Sequence, residues 1–418
     1  MNTVRNCMFV ALLLAFATYS TLAGGFQLNE HGTKAMAMGG AFVAQASDGS
    51  AMFFNPAGLA FQGGFRALVG VTPIMPSNKF SSTTITETKM ASQVFFLPHV
   101  FASYGLDNGL AFGVAFYAPY GLGTEWPADW GGRYLAVKTD LKSYYINPTI
   151  AYKISEQVAL GVGVSYVFSD VKLNQKLRLA LPTVPPTLLP DGNISLDGDG
   201  HGIEFDAGVL VKPTPELSIG ASYRHSNKID LEGTAAFTNM GPLASLFPGG
   251  TGSTSITFPN NIFGGLAYQA TPELILEADF QDIMWSTYDT LKITIPNGPP
   301  GPTGQPLQRS SASGKDWENT FMIRFGGQYQ LEKVALRAGV IYDKTPQPNK
   351  TVEPMLPDAN RVEFTVGLGY QLTQELSVDV AYQIILFQER TVTLAENVFP
   401  GTYKAMANLF GLSLGYTM

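Results

Sequence analysis

Four histidines, His31, His99, His201 and His225, are the residues best suited to move a proton near neutral pH. They are scattered, and none stands in a recognisable pattern with a serine or aspartate that would activate a nucleophile. The chain is therefore read as a non-enzyme. The run Asp197-Gly-Asp-Gly-His201 offers oxygens that could hold calcium. A polar loop turn accounts for the same residues, and neither a metal nor a cofactor is expected. Arg224, Arg324 and Arg337 fall on the less greasy faces of alternating segments. Pointing inward, one of them could hold a ligand carboxylate. Alternatively they pair with Asp206, Asp279, Asp343 or Glu363 as a satisfied polar network.

The elements carrying these groups are strands. From Val158 to Phe168, large apolar residues alternate with Ala159, Gly161, Gly163 and Ser165. A strand sends successive side chains to opposite faces, so one face is greasy and the other nearly bare. The pattern recurs near 110–116, 217–224, 320–325, 334–343, 361–370, 376–383 and 410–418. Weaker candidates near 65–75, 92–105, 140–154, 203–212, 256–269 and 273–295 bring the count to about 14. Period-two alternation also fits a soluble β-sandwich. The rest of the chain favours an outer-membrane barrel. Arg5 precedes the apolar run Met8 to Ala17, and Thr21-Leu22-Ala23 supplies small cleavage-site residues, so residues 1–23 read as a signal peptide. The one cysteine, Cys7, lies within it, leaving no disulfide in the mature chain. With 26 Lys and Arg against 33 Asp and Glu, the net charge is −7, which disfavours nucleic acid as a partner. No later segment reaches the ~20 apolar residues of a spanning helix.

Connections alternate between short, as at Leu106-Asp-Asn-Gly109, and long, near 76–91, 118–139, 172–202, 227–255, 296–316, 344–360 and 389–404. Short periplasmic turns and long external loops give this rhythm. Tyr104, Tyr144, Tyr152, Tyr223, Tyr329, Tyr370 and Tyr416 sit near strand ends, as an interfacial girdle requires. Residues 24–64 do not alternate. They are apolar and glycine-rich, and a barrel of this size has a lumen its own side chains cannot fill. A compact plug within the lumen answers both facts; a periplasmic tail is the alternative. The barrel itself then occupies 65–418. In the long loops Leu181, Val184, Leu188 and Leu189, and then Leu243, Leu246 and Phe247, could accept an apolar solute. They could equally pack the loops together, with Met240 as a pliable neighbour. Pro119 cannot donate a ladder hydrogen bond and Gly121 weakens pairing, so Pro119-Tyr120-Gly121 predicts a kink, bulge or strand end.

The ordered set Gly25-Phe-Gln-Leu-Asn-Glu30, Asn55-Pro-Ala-Gly-Leu59, Pro119-Tyr-Gly-Leu-Gly-Thr-Glu-Trp126, Asn147-Pro-Thr-Ile-Ala-Tyr152, Lys228-Ile-Asp-Leu-Glu-Gly233, Asp343-Lys-Thr-Pro-Gln-Pro348 and Leu356-Pro-Asp-Ala-Asn-Arg361 resembles the outer-membrane long-chain fatty-acid and aromatic-hydrocarbon transporters of the FadL type. The resemblance covers essentially the whole mature chain. It implies a 14-strand barrel with an N-terminal hatch whose end is Asn55-Pro56-Ala57. It further implies passive carriage of a hydrophobic ligand, closure of a lumen pocket by Phe26, and lateral release into lipid at a kinked third strand around Pro119, Tyr120 and Gly121. Asp170 stands where some fatty-acid carriers have a basic residue, which leaves uncharged hydrocarbons open as ligands. A general diffusion porin is the rival reading. Oligomeric state is not legible, and a monomer is the working expectation.

Overall fold

Outward-facing Leu160, Val162, Val164, Tyr166 and Phe168 are exposed in the isolated chain, whereas Ala159, Ser165 and Val167 between them are buried. This is the inverse of a soluble sandwich, whose large apolar residues face in. The computed structural model describes residues 24–295 and 309–418. The expected signal peptide and part of the connection at 296–316 lie outside the described residues. Among the described residues no helix is long and apolar enough to cross a membrane. Satisfying every backbone group in lipid then requires a closed sheet.

The sheet closes with fourteen antiparallel staves. They are Gly64–Ser81; Phe95–Gly105; the third in two pieces, Leu110–Tyr117 and Gly121–Glu125; Lys138–Lys153; Val158–Leu177; Gly192–Thr214; Leu217–Arg224 with Asn227–Thr238; Gly250–Phe258 with Asn261–Gln269; Leu274–Ile283 with Thr290–Ile295; Arg309–Gly314 with Thr320–Leu331; Val334–Asp343; Arg361–Gln371; Leu376–Phe387 with Arg390–Val392; and Gly401–Thr417. The first and last pair from Arg66↔Thr417 to Ser81↔Thr402, so the sheet closes into a ring. Tight turns such as Leu106–Gly109, where the Gly109 N–H donates to the Leu106 carbonyl at 3.1 Å, join staves at one end. Exposed Tyr104, Tyr152, Tyr268, Tyr329, Tyr370 and Tyr416 ring that end.

Two expected long loops are largely strand. Paired backbone runs continue to Leu177↔Gly192 and Ala235↔Gly250, so these hairpins rise well past the apolar band. Asp197 to His201 lies inside the sixth stave, not in a loop turn, and among the described residues no acidic or histidine cluster is arranged to hold a metal.

Residues 24–62 run within the ring of staves. They contain two short helices, Thr33–Ala37 and Ala51–Phe54, and a 3-10 turn, Pro56–Phe61. Their contact with the wall explains its bare inner face. A methyl group on Gly161 would collide with the backbone at Pro56 and Ala57, and one on Gly339 with that at Met38 and Gly39.

Candidate ligand passage

The third stave is interrupted where proline and glycine weaken its ladder. The second and third pair from Val100↔Phe116 to Gly105↔Ala111. Beyond the interruption, Gly121–Glu125 pairs with the fourth stave, from Gly121↔Lys142 to Glu125↔Lys138. Among the described residues, Phe95 to His99 therefore have no ladder partner on the third stave. The sequence left open whether Pro119 marked a strand end; it marks a break in a continuing stave. The N-terminal segment bonds to the backbone at this break. Gln27 bridges to Tyr120, the Leu28 N–H donates to the Pro119 carbonyl at 2.8 Å, and the Gly121 N–H donates to the Phe26 carbonyl at 3.2 Å. The chain's leading residues are thus bonded to the third stave at its break. The Phe95 ring lies so close to Gly123 that a side chain there would collide with it.

Phe26, 4% exposed, sits in an aromatic cage. Its ring centroid lies 4.5 Å from Trp285, 5.6 Å from Trp317, 5.8 Å from Tyr288 and 6.3 Å from both Tyr120 and Phe258. Trp285 Nε1 also donates to the Gly24 carbonyl at 3.0 Å. On one side of Phe26 lies a mostly apolar cavity of about 240 Å³, bounded by Ile74, Phe95, Leu97, Gly121 and Ile385. A smaller one of about 40 Å³ touches Phe26 from another side, between Leu122, Val171, Leu231 and Trp317.

The cations facing these spaces are paired. Arg361 places Nη2 2.6 Å from Asp343, Nε 3.0 Å from Glu363 and Nη1 3.8 Å from Asp358, and Nη1 also donates to the Gly25 carbonyl at 3.3 Å. In the connection after the eleventh stave, burial pushes the Asp358 carboxyl up, against the pull of Arg361 and of hydrogen bonds from Thr345 and Gly25. Lys142 Nζ lies 3.1 Å from Asp140. Lys315 pairs with Glu353.

Deeper in the lumen, side chains of the wall grip the N-terminal segment. Asp279 accepts from the Phe42 and Val43 N–H groups at 2.8 and 3.0 Å, and Glu277 from Ala44 at 2.7 Å. Thr365 donates to the Ala37 carbonyl at 3.0 Å and Ser222 to that of Phe54 at 2.6 Å. Asn55 Nδ2 donates to the Val43 and Val209 carbonyls at 2.9 and 3.0 Å, while its Oδ1 accepts from Ala57 at 3.2 Å. Pro56 and Ala57 are buried beside it.

Phe26 and Pro119-Tyr120-Gly121 thus meet at one place. Leu243, Leu246 and Phe247 do not join them; the first two sit on a 3-10 turn, Gly241–Leu246, and Phe247 follows it with its ring 5.5 Å from Phe237. Met240 is buried against Leu179 and Gly192, as loop packing requires. The three arginines do face inward, each bonded to a partner other than the carboxylates expected. Arg224 pairs with Glu204 at 3.1 Å and Arg337 with Asp379 at 2.5 Å; Arg324 donates to Gln281 at 2.5 Å. Asp343 and Glu363 serve Arg361 instead. The sequence reading missed Arg361, Trp285 and Trp317. The available sign was that Trp285 follows the apolar period of Leu274 to Ile283 and Trp317 precedes that beginning at Thr320, both outside it.

The sequence profile of the family described as outer membrane protein transport protein (OMPP1/FadL/TodX) matches residues 14–418. A putative outer membrane protein of Neisseria meningitidis serogroup B is 24% identical, covering 96% of each chain. A long-chain fatty acid transport protein of Escherichia coli O6:H1 is 25% identical, covering 97% of each. Among solved structures, a Pseudomonas aeruginosa FadL homologue superposes with a TM-score of 0.82 at 22% identity, covering 94% of this chain and 100% of that one. The Ralstonia pickettii toluene transporter TbuX gives 0.73 at 19% identity, covering 94% and 100%. A profile match over nearly the whole length, on a closed fourteen-stave barrel whose inner space is apolar beside a wall break, shows that this chain belongs to the OMPP1/FadL/TodX family of outer-membrane transport proteins.

Proposed function

We propose that this chain carries hydrophobic molecules passively across the outer membrane and releases them sideways into lipid through the break in its third stave. The supporting observation is that Phe26 to Leu28 bond the third stave at its break and also line the apolar cavity beside it. Residues 24–62 act as a hatch. A ligand displaces its leading residues only by binding the displaced arrangement better than the closed one. Exposed Leu246 and its neighbours Leu243 and Phe247 serve as an outer capture surface. Relatives named for fatty-acid and toluene transport agree with an apolar cargo.

The test is the double variant Pro119→Ala/Gly121→Val, which favours an unbroken strand. Its outer-membrane assembly is expected to be normal, and its uptake of radiolabelled hexadecane reduced several-fold. Native uptake in a normally inserted variant would defeat the sideways route.

A further inference from the structure

The cavities beside Phe26 hold cations, yet each is already spent on protein carboxylates. Each of the three guanidinium nitrogens of Arg361 faces a carboxylate, and Nη1 also holds the Gly25 carbonyl. Lys142 is tied to Asp140, and its ladder partner across the wall is Asp170. Lys315, 3% exposed at its side chain, is tied to Glu353. The carboxylates of Glu30, Asp140 and Asp358 border the larger cavity together with Lys142 and Arg361, and the remaining lining is predominantly apolar. Glu30 itself accepts from Gln383 at 3.0 Å. A ligand carboxylate entering this space would lose its water, meet carboxylates already in place, and gain a cation only by breaking an existing pair. For the buried pairs of Arg361 and Lys315, leaving one partner uncompensated is strongly unfavourable, and discrimination is often built from such repulsive elements. An uncharged molecule pays none of these penalties.

We infer that the passage selects uncharged apolar molecules, such as hydrocarbons or long-chain alcohols, against fatty-acid anions of the same length, because Arg361, Lys142 and Lys315 are neutralised by the chain's own carboxylates. This inference rests on the transporter reading above and narrows its substrate class.

The experiment uses the purified full-length mature protein in detergent. Bound N-phenyl-1-naphthylamine is displaced at pH 8 by hexadecan-1-ol or by hexadecanoate, each corrected for partition into protein-free micelles. The alcohol is expected to displace it at least about tenfold more tightly. In Asp140→Asn, which frees Lys142, the preference for the alcohol over the acid is expected to fall several-fold. Equal or tighter binding of hexadecanoate by the native protein overturns the selectivity and leaves the transporter reading standing. An unchanged ratio in Asp140→Asn overturns the role given to the paired cations. Displacement by neither compound overturns the transporter reading itself.

Discussion

Two inward carboxylates hold the middle of the N-terminal segment. Asp279, 3% exposed, receives two successive peptide N–H groups, and Glu277 beside it receives the next. Removing Asp279 with Asp279→Ala leaves the Phe42 and Val43 donors buried without their acceptor, which costs about 1–3 kcal/mol. Hydrogen exchange at those two amides is expected to accelerate roughly 10–100-fold, while strand amides keep their protection. Unchanged exchange would show that packing alone holds the segment. The inward direction of Asp279 was legible from alternation, but its task was not. Period two tells which face a residue takes and says nothing of what lies opposite it. The same limit hid Glu204 and Asp379 as partners of Arg224 and Arg337, since both lie on staves whose pairing is set by turn geometry. Phe26 was accessible through resemblance, whereas Trp285 and Trp317 lie in irregular segments where no period applies.

Strand alternation was the strongest message in the chain, because lipid outside and a filled lumen inside impose opposite demands on adjacent residues. All the alternating segments became staves. The loops misled: the polar runs at 172–202 and 227–255 carry too little apolar alternation to be read as strands, yet they pair beyond the membrane where water solvates both faces. The bare inner face was legible, but its cause was not. Gly161 faces the backbone at Pro56, so Gly161→Val must push the N-terminal segment away while leaving the lipid face untouched. The variant is expected to insert normally, to become more sensitive to protease within residues 24–62, and to leak small sugars. Native protease resistance would show that the wall yields instead. At the outer rim, Arg133 Nε meets Asp191 Oδ2 at 2.7 Å and the Tyr134 hydroxyl donates to Oδ1 at 2.7 Å. The hydrogen bond from Arg133, then that from Tyr134, holds the Asp191 carboxyl below its usual range. This link therefore stands at pH values above the free-aspartate pKa of about 3.9 and is lost as pH falls through the lower value in the folded chain. Exchange protection of residues 126–137, corrected for intrinsic rate, is expected to hold from about pH 7 to about pH 5 and to fall only below about pH 4. Opening already near pH 6 would assign the rim to other contacts.

A fourteen-stave barrel without contents would be an aqueous pore, since its lumen exceeds what strand side chains can fill. Here the N-terminal segment brings buried Met36, Phe42, Phe53, Phe54 and Leu59 into that space and is bonded to staves around the ring. The cavities beside Phe26 are mostly apolar and lie against the broken stave, a poor path for a sugar and a suitable one for an oil. Reconstituted native protein is therefore expected to swell liposomes in arabinose no faster than protein-free controls do. Deletion of residues 26–62 is expected to convert it into a swelling-competent pore, because the wall between staves does not depend on that segment except at Pro119 to Gly121. Swelling by the native protein would mean that water and sugars pass the segment freely, and the barrel would then work by diffusion through its axis rather than by passage of oils through its side.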